Sequence, residues 1–143
     1  MSPPSQHSAL TRASGLTTTG AFGRRARRIG RITSGLLLDV AENVDVIEPV
    51  AKFTAELAGV AGVRDVFNVG LEAWAPPAGE GGVVYGLVWN QWCVGHLTDA
   101  QLVAYLGRCR DALDPDGGLI VVKENLSTGD GDIYDELDSS VTR

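Results

Sequence analysis

The chain has few cysteines and no long apolar run, and each shortage removes a class of protein. The only cysteines are Cys93 and Cys109, too few for a zinc site, which needs about four ligands. Two cysteines are also weak evidence for a disulfide. We therefore expect no metal, and a reducing compartment: the cytoplasm, with the nucleus as a second location. No run approaches the roughly 20 apolar residues that span a bilayer, so we expect no membrane partner.

Acidic residues are absent from residues 1–38 and abundant in the rest of the chain. The first 38 residues contain six arginines and carry a charge of +6, whereas residues 39–143 carry −12. Phosphate binding needs a basic face, so the acidic body argues against a nucleic-acid partner. A negative surface suits a cationic substrate, although the same charge also serves solubility.

The first 23 residues show little apolar periodicity. Residues 1–22 are small, polar and rich in Gly, Ser and Thr, so we expect disorder there. The sequence thus predicts a disordered or wrongly spliced leader over residues 1–23 and a partial domain over residues 24–143. A mitochondrial transit peptide, which is also rich in Arg and Ser and poor in acids, is the alternative.

Apolar periodicity from residue 29 onward predicts alternating helices and strands. Helical spacing indicates helices over residues 30–41, 50–57 and 99–113. Apolar, β-branched runs indicate buried strands over residues 44–49, 63–69, 83–92 and 119–124, and residues 127–138 read as an acidic loop. This alternation predicts a mostly parallel α/β sheet with helices on both faces. We expect no strand before residue 30 or after residue 124, and hence a truncated sheet.

Polar residues lie at the carboxyl ends of four of the predicted strands, where an open parallel sheet binds its ligands. The four groups are Glu48, residues 70–72, residues 90–92 and residues 124–125. Glu48 can accept hydrogen bonds from both ribose hydroxyls of a nucleoside. The alternative for Glu48 is a solvated turn residue before a proline.

Residues 89–97 combine two tryptophans, an amide and a histidine at a strand end. Trp92 can offer an aromatic face to a cationic amine, or it can pack in the core. His96 can act as a base near neutral pH, or it can be a hydrogen-bonded loop residue.

Asp135 and Asp138 lie three positions apart in the acidic region, and they would share a face if this region were helical. A pair of carboxylates can hold an ammonium group and take its proton. The alternative is a solvated acidic tail.

These segments together resemble the alpha-N-terminal protein methyltransferases over roughly residues 29–143. Matching segments follow the family's order and spacing at residues 29–33, 44–48, 90–99, 113–118, 122–125 and 135–141. Gln-Trp-x-x-Gly-His-Leu-Thr-Asp at residues 91–99 and Asp-x-x-Asp-Ser-Ser at residues 135–140 are the specific ones, because ordinary methyltransferases of this fold lack them.

The resemblance implies a Rossmann-like class I methyltransferase that uses S-adenosylmethionine to methylate the α-amine of protein N-termini of the Xaa-Pro-Lys type. It implies cofactor contacts at Gly30, Arg31, Glu48, Leu71, Glu72 and Gln91. It implies a substrate groove lined by Trp92, Asn125, Asp135 and Asp138. His96 and Asp138 would orient the α-amine and take its proton.

The stretch that aligns with the family's cofactor loop departs from the family pattern. Ala26 and Arg28 stand where the family has glycines, which let backbone approach the ligand closely. We therefore expect a weakly active or inactive chain. Two alternatives stay open: a methyltransferase that uses the same cofactor on a small molecule, and a catalytically dead fragment.

Overall fold

A computed structural model describes residues 13–22, 32–78 and 82–143. Five parallel strands form its main sheet in the order β3-β2-β1-β4-β5. Their bounds are β1 Ala13–Phe22, β2 Ala41–Ile47, β3 Val63–Phe67, β4 Leu87–Gln91 and β5 Leu119–Lys123. A separate antiparallel hairpin follows, made of β6 Ile133–Asp135 and β7 Ser140–Thr142.

The central strand β1 shows that two expectations from the sequence were wrong. The segment assigned to a disordered leader over residues 1–23 contains a strand, and this strand precedes residue 30. β1 pairs with β2 on one side and with β4 on the other, so the ladders engage both of its edges. Three consecutive threonines at residues 17–19 are polar but β-branched, and β-branched residues favour strands.

Two helical segments are shorter than the apolar spacing predicted. Within residues 30–41, the described part holds a π-helical turn, Thr33–Leu37, and a short helix α1, Leu38–Val40. Residues 50–57 form two 3₁₀ turns, Ala51–Phe53 and Ala55–Leu57, because the stretch between Pro49 and the glycine at 59 is too short for a stable α-helix. In the described part of the chain, no helix is long and apolar enough to cross a bilayer.

The helix α2, Asp99–Asp111, forms close to where the sequence predicted it. Thr98 caps its first turn, since the Thr98 hydroxyl accepts from the Gln101 N–H at 3.2 Å and the Gln101 side chain accepts from the Thr98 N–H at 2.9 Å. Tyr105 lies on its buried face and donates its hydroxyl hydrogen to Asn90 of β4 at 2.7 Å. The helix is thereby fixed to the middle of the sheet.

Apolar clusters cover both faces of the sheet. One face packs against α2 and buries Trp74, Tyr85 and Tyr105. The other face packs against the segment from residue 33 to 40 and buries Leu37 and Val44. The predicted parallel α/β sheet with helical segments on both faces is therefore confirmed.

One charged side chain is fully buried within the sheet. Asp45 of β2 accepts from the Arg64 Nε at 2.9 Å and from the Tyr85 hydroxyl at 2.7 Å. Burial raises the pKa of Tyr85, and the hydrogen bond to Asp45 raises it further, so the hydroxyl stays a donor. This triad satisfies a buried carboxylate that would otherwise destabilise the fold.

Candidate functional site

The carboxyl ends of β2 and β4 align on either side of β1. Ala21 of β1 pairs with Ile47 of β2 and with Asn90 of β4. The chain continues from β1 to β2 and β3 on one side, and to β4 and β5 on the other. A topological switch point therefore lies between β1 and β4. Gln91 ends β4, and Glu48 follows β2, which pairs with the other edge of β1.

Glu48 is only 2% exposed, which removes the alternative of a solvated turn residue. Its Oε1 accepts from the Val50 N–H at 2.9 Å. Its backbone oxygen accepts from the Asn68 side chain at 2.9 Å, and Asn68 also donates to the Thr54 hydroxyl at 3.0 Å. The loops after β2 and β3 are thus joined around a buried carboxylate.

Leu71 and Glu72 lie on the turn after β3. Leu71 is buried in the core that faces α2. Arg108 of α2 donates to the backbone oxygen of Leu71 at 2.8 Å and to that of Glu72 at 3.3 Å. The Glu72 side chain is exposed and folds back over Gly70, where a Cβ atom would collide with its carboxylate. The turn is therefore held to the same edge of the sheet as Glu48.

Gln91 is 3% exposed, and its side-chain oxygen accepts from the Trp89 indole at 3.2 Å. Together with Glu48 and Leu71 it forms a set of one carboxylate, one amide and one apolar side chain. This set fits the hydroxyls and the base of a nucleoside cofactor. Gly30 and Arg31, also predicted to contact the cofactor, lie outside the described residues, as do Ala26 and Arg28.

A cavity of about 230 Å³, called the groove below, lies beyond β4 and β5 next to the hairpin. The residues predicted to bind or deprotonate a substrate all line it: Trp92, His96, Asn125, Asp135 and Asp138. They come from the end of β4, the end of β5 and the hairpin, so the fold brings together three segments that are distant in sequence.

Trp92 reaches the groove through an unusual backbone conformation. Its φ angle is +54°, in the left-handed region that side-chain-bearing residues rarely adopt. The Trp92 N–H donates to the Lys123 oxygen at 3.0 Å, and the Lys123 ammonium lies 5.3 Å from the Trp92 ring centroid. Contacts with β5 thus stabilise a conformation that turns the chain away from β4.

His96 ends a 3₁₀ turn, Val94–His96, and is exposed at the groove. β7 packs directly against this turn at Gly95. A Cβ atom at Gly95 would lie 2.8 Å from the Val141 backbone oxygen, so a larger residue could not be accommodated without movement. The glycine therefore sets how closely the hairpin approaches His96.

Asp135 ends β6 and Asp138 lies in the turn that follows it, so the expectation of no strand after residue 124 was wrong. The acidic loop predicted over residues 127–138 extends only to residue 132, and the two aspartates lie on a hairpin and not on a helix. Asp135 accepts from the Leu137 N–H at 2.9 Å, and Asp138 accepts from the Ser140 N–H at 3.0 Å. These bonds shape the turn between β6 and β7, and both carboxylates are half-buried. A hairpin tip, like a helix, places two residues three apart near one another.

Residues outside the predicted substrate set also line the groove, among them Glu124, Ser140 and Arg143. Arg143 donates to the Leu97 backbone oxygen and to the Asp99 carboxylate, each at 2.8 Å, which fastens the end of β7 to the start of α2. Glu124 is the last residue of the strand predicted over residues 119–124, and its position at a strand end was the signal for it in the sequence. Nothing in the pattern indicated Arg143.

Comparison with known proteins gives a family match over most of the chain. The family described as "AdoMet dependent proline di-methyltransferase" matches residues 16–143, beginning within the segment that the sequence had assigned to a leader. "Alpha N-terminal protein methyltransferase 1" of Schizosaccharomyces pombe is 47% identical over 117 residues, which cover 80% of this chain and 51% of that protein. "N-terminal Xaa-Pro-Lys N-methyltransferase 1" of Danio rerio is 39% identical over 139 residues, 94% of this chain and 60% of the relative.

Solved structures share the fold at low sequence identity. A "DhpI-SAH complex structure" superposes with a TM-score of 0.60 at 19% identity, over 90% of this chain and 58% of that one. An S-adenosylmethionine dependent methyltransferase from Mesorhizobium loti superposes with a TM-score of 0.57 at 19% identity, over 78% and 48% of the two chains. The chain spans about half the length of most of the curated relatives it matches.

Proposed function

The chain belongs to the family of AdoMet-dependent proline di-methyltransferases, and from this premise we propose that it methylates the free α-amine of protein N-termini. The substrates are proteins whose exposed N-terminus is of the Xaa-Pro-Lys type, and the methyl donor is S-adenosylmethionine. One observation carries the proposal: Trp92, His96 and Asp138 line a single groove beside the carboxyl edge of the sheet.

The charge and shape of the groove support a cationic substrate. Three carboxylates line it, from Glu124, Asp135 and Asp138, whereas the guanidinium of Arg143 is already engaged by Asp99. Carboxylates form charge-assisted hydrogen bonds with an ammonium group. The face of Trp92 adds a cation–π contact for the same group. An Xaa-Pro-Lys N-terminus carries two positive charges, one on the α-amine and one on the lysine, and an acidic groove favours both.

The residues of the groove can perform the proton transfer that the reaction needs. A free α-amine has a pKa near 8, so a proton must leave before the nitrogen lone pair can attack a methyl group. Asp138 and His96 line the groove together and are the groups that accept this proton and orient the amine. S-adenosylmethionine, when bound, supplies the electrophilic methyl group. The groove walls contribute by holding the amine in one orientation.

The edge between β2 and β4 supports a role in holding the cofactor. The Glu48 carboxylate has the chemistry to accept the ribose hydroxyls, Leu71 and Glu72 would flank the adenine, and Gln91 would contact the methionine portion. Gly30 and Arg31 complete this set by resemblance alone. The substitutions at Ala26 and Arg28 lead us to propose weakened cofactor affinity. Calorimetric titration tests this: a micromolar dissociation constant for S-adenosylmethionine would contradict the expected damage.

A peptide assay tests the proposed reaction. The chain is incubated with S-adenosylmethionine and a synthetic peptide that begins Ser-Pro-Lys, and the products are separated by mass spectrometry. We expect methyl groups on the free peptide, none on its N-acetylated form, and about 10² to 10⁴ times slower methylation with the Asp138→Asn variant. Methylation of small molecules but not of the peptide would favour the first alternative. Cofactor binding without any transfer would favour a dead fragment.

We also propose a cytoplasmic location, with the nucleus as a second one, and no nucleic-acid partner. Both cysteines are buried and free. Burial raises the pKa of Cys109 to about 11 and raises that of Cys93, so both thiols stay protonated and inert at neutral pH. The charge of −12 over residues 39–143 opposes phosphate binding. Imaging of a tagged chain tests the location, and gel-shift titration tests nucleic-acid binding.

A further inference from the structure

One carboxylate oxygen accepts two hydrogen bonds from the backbone at the start of the turn that carries His96. Glu124 Oε1 accepts from the Cys93 N–H at 2.7 Å and from the Val94 N–H at 3.0 Å. These N–H groups lie at the start of a 3₁₀ turn, where the helical hydrogen-bond pattern leaves donors without partners. Glu124 therefore connects the end of β5 to the turn after β4.

The residue before Glu124 holds the other part of the same segment. The backbone oxygen of Lys123 accepts from the Trp92 N–H at 3.0 Å, and the Lys123 ammonium lies over the Trp92 ring. Three consecutive N–H groups, of residues 92, 93 and 94, thus donate to the last residue of β5 and to the residue after it. The end of β5 and Glu124 therefore hold both Trp92, whose φ angle is positive, and the start of the 3₁₀ turn Val94–His96.

We propose that Glu124 is a positioning residue of the groove: it places His96 and Trp92 relative to Asp138 without itself taking the proton. The inference rests on the proposed function, because the placement matters only if those three side chains act on one substrate. Hydrogen bonds from backbone N–H groups to a carboxylate are about twice as strong as neutral ones. Removing the carboxylate leaves two backbone donors without a partner, so the turn is expected to shift.

A second possible role of Glu124 can be distinguished by a variant that removes its charge. Because Glu124 lines the groove, its carboxylate could instead attract a cationic substrate directly. Glu124→Gln keeps a side-chain oxygen that can accept both N–H groups but removes the charge. Glu124→Ala removes both. A positioning residue is therefore rescued by glutamine, whereas an electrostatic substrate contact is not.

The first measurement needs no activity. Amide hydrogen exchange at Cys93 and Val94 is followed by NMR in the full chain and in three variants: Glu124→Ala, Glu124→Gln and Glu136→Ala. Glu136 is exposed on the hairpin, so its loss controls for one negative charge near the groove. Exchange is expected to accelerate about ten-fold or more in Glu124→Ala and to stay within about two-fold in the other variants.

The second measurement separates binding from turnover. In Glu124→Ala we expect kcat for the Ser-Pro-Lys peptide to fall about ten-fold or more, with the dissociation constant of S-adenosylmethionine unchanged. Glu124→Gln should retain most of the activity. Should the alanine variant unfold, Glu124→Asp, which withdraws the carboxylate by one methylene, takes its place.

Each failure has a distinct signature. Unchanged amide exchange in Glu124→Ala overturns the inference, as does a Glu124→Gln variant that loses as much kcat as alanine while its amides stay protected. If the wild-type chain transfers no methyl group, the proposed function fails, and the exchange data still decide whether Glu124 holds the turn.

Discussion

The two halves of the candidate site are built by different means. The cofactor side follows parallel strands directly: Glu48 comes after β2, and Gln91 ends β4. Both are almost completely buried, at 2% and 3% exposure. On the groove side, His96 lies on a short turn and Asp138 on a hairpin, and both are more exposed. The first half depends on the sheet ladder, and the second depends on contacts between loops.

This difference determines how each half should respond to substitution. The sheet positions strand ends through many backbone hydrogen bonds, so few single side chains can move them. The groove depends on a small number of contacts: the approach of β7 to Gly95, the Arg143 bonds to Leu97 and Asp99, and the Glu124 bonds. We therefore expect substitutions among these contacts to change peptide turnover while leaving cofactor affinity unchanged.

The largest expected effect is that of Asp138→Asn on the groove. Asparagine keeps the oxygen that accepts from the Ser140 N–H, so the hairpin should persist, but it cannot take a proton. We expect kcat to fall by about 10² to 10⁴. Steady-state kinetics with the peptide measure the loss, and calorimetry should show unaltered cofactor affinity. A fall of less than about five-fold would contradict a role for Asp138 as the base.

Glu48→Gln should affect the cofactor half alone. Hydrogen bonds to a charged group contribute about 1.5–3 kcal/mol, so the dissociation constant of S-adenosylmethionine should rise about 10- to 100-fold. The peptide KM at saturating cofactor should not change. Glu56→Gln, at an exposed position on a nearby 3₁₀ turn, is the matched control. An equal effect of the two variants would remove Glu48 from the cofactor site.

Gly95→Ala tests the contact between the hairpin and the turn. The new methyl group would lie 2.8 Å from the Val141 oxygen, so β7 must move away from His96. We expect kcat/KM for the peptide to fall about ten-fold, because small displacements of catalytic groups are costly. The control is Gly107→Ala on α2, where the added atom has no neighbour within 4 Å. Equal activity of both variants would show that the hairpin does not position His96.

The smallest expected effect on the site comes from Tyr85→Phe, which tests whether the fold can be weakened without touching either half. The loss of the hydrogen bond to Asp45 should lower the free energy of unfolding by about 1.5–3 kcal/mol. Cofactor affinity and peptide kinetics should stay the same in the folded protein. Urea unfolding measures the change, and Tyr134→Phe, at an exposed position, is its control. A change in cofactor affinity or in peptide kinetics would show that the core around Tyr85 influences the site.

Local pattern predicted the strongly periodic parts of the fold. α2 was predicted from its regular apolar spacing. The structure adds a capping box formed by Thr98 and Gln101. The apolar strands β4 and β5 were predicted for a similar reason. β1 was missed because its threonines are polar, and hydropathy does not report that a central strand can be stabilised by pairing on both edges.

The sequence by itself determined which residues are the candidates for the chemistry. Its motifs single out Trp92, His96 and the two hairpin aspartates, and its strand pattern singles out Glu48, because residue type and spacing are local properties. Only the tertiary structure decided that the motif residues line one groove and that a hairpin presents the aspartates. It also decided that Glu124 and Arg143 bond to the backbone on either side of His96, at Cys93 and at Leu97. The physical reason is that such contacts join segments distant along the chain, and their geometry depends on packing that no local pattern contains.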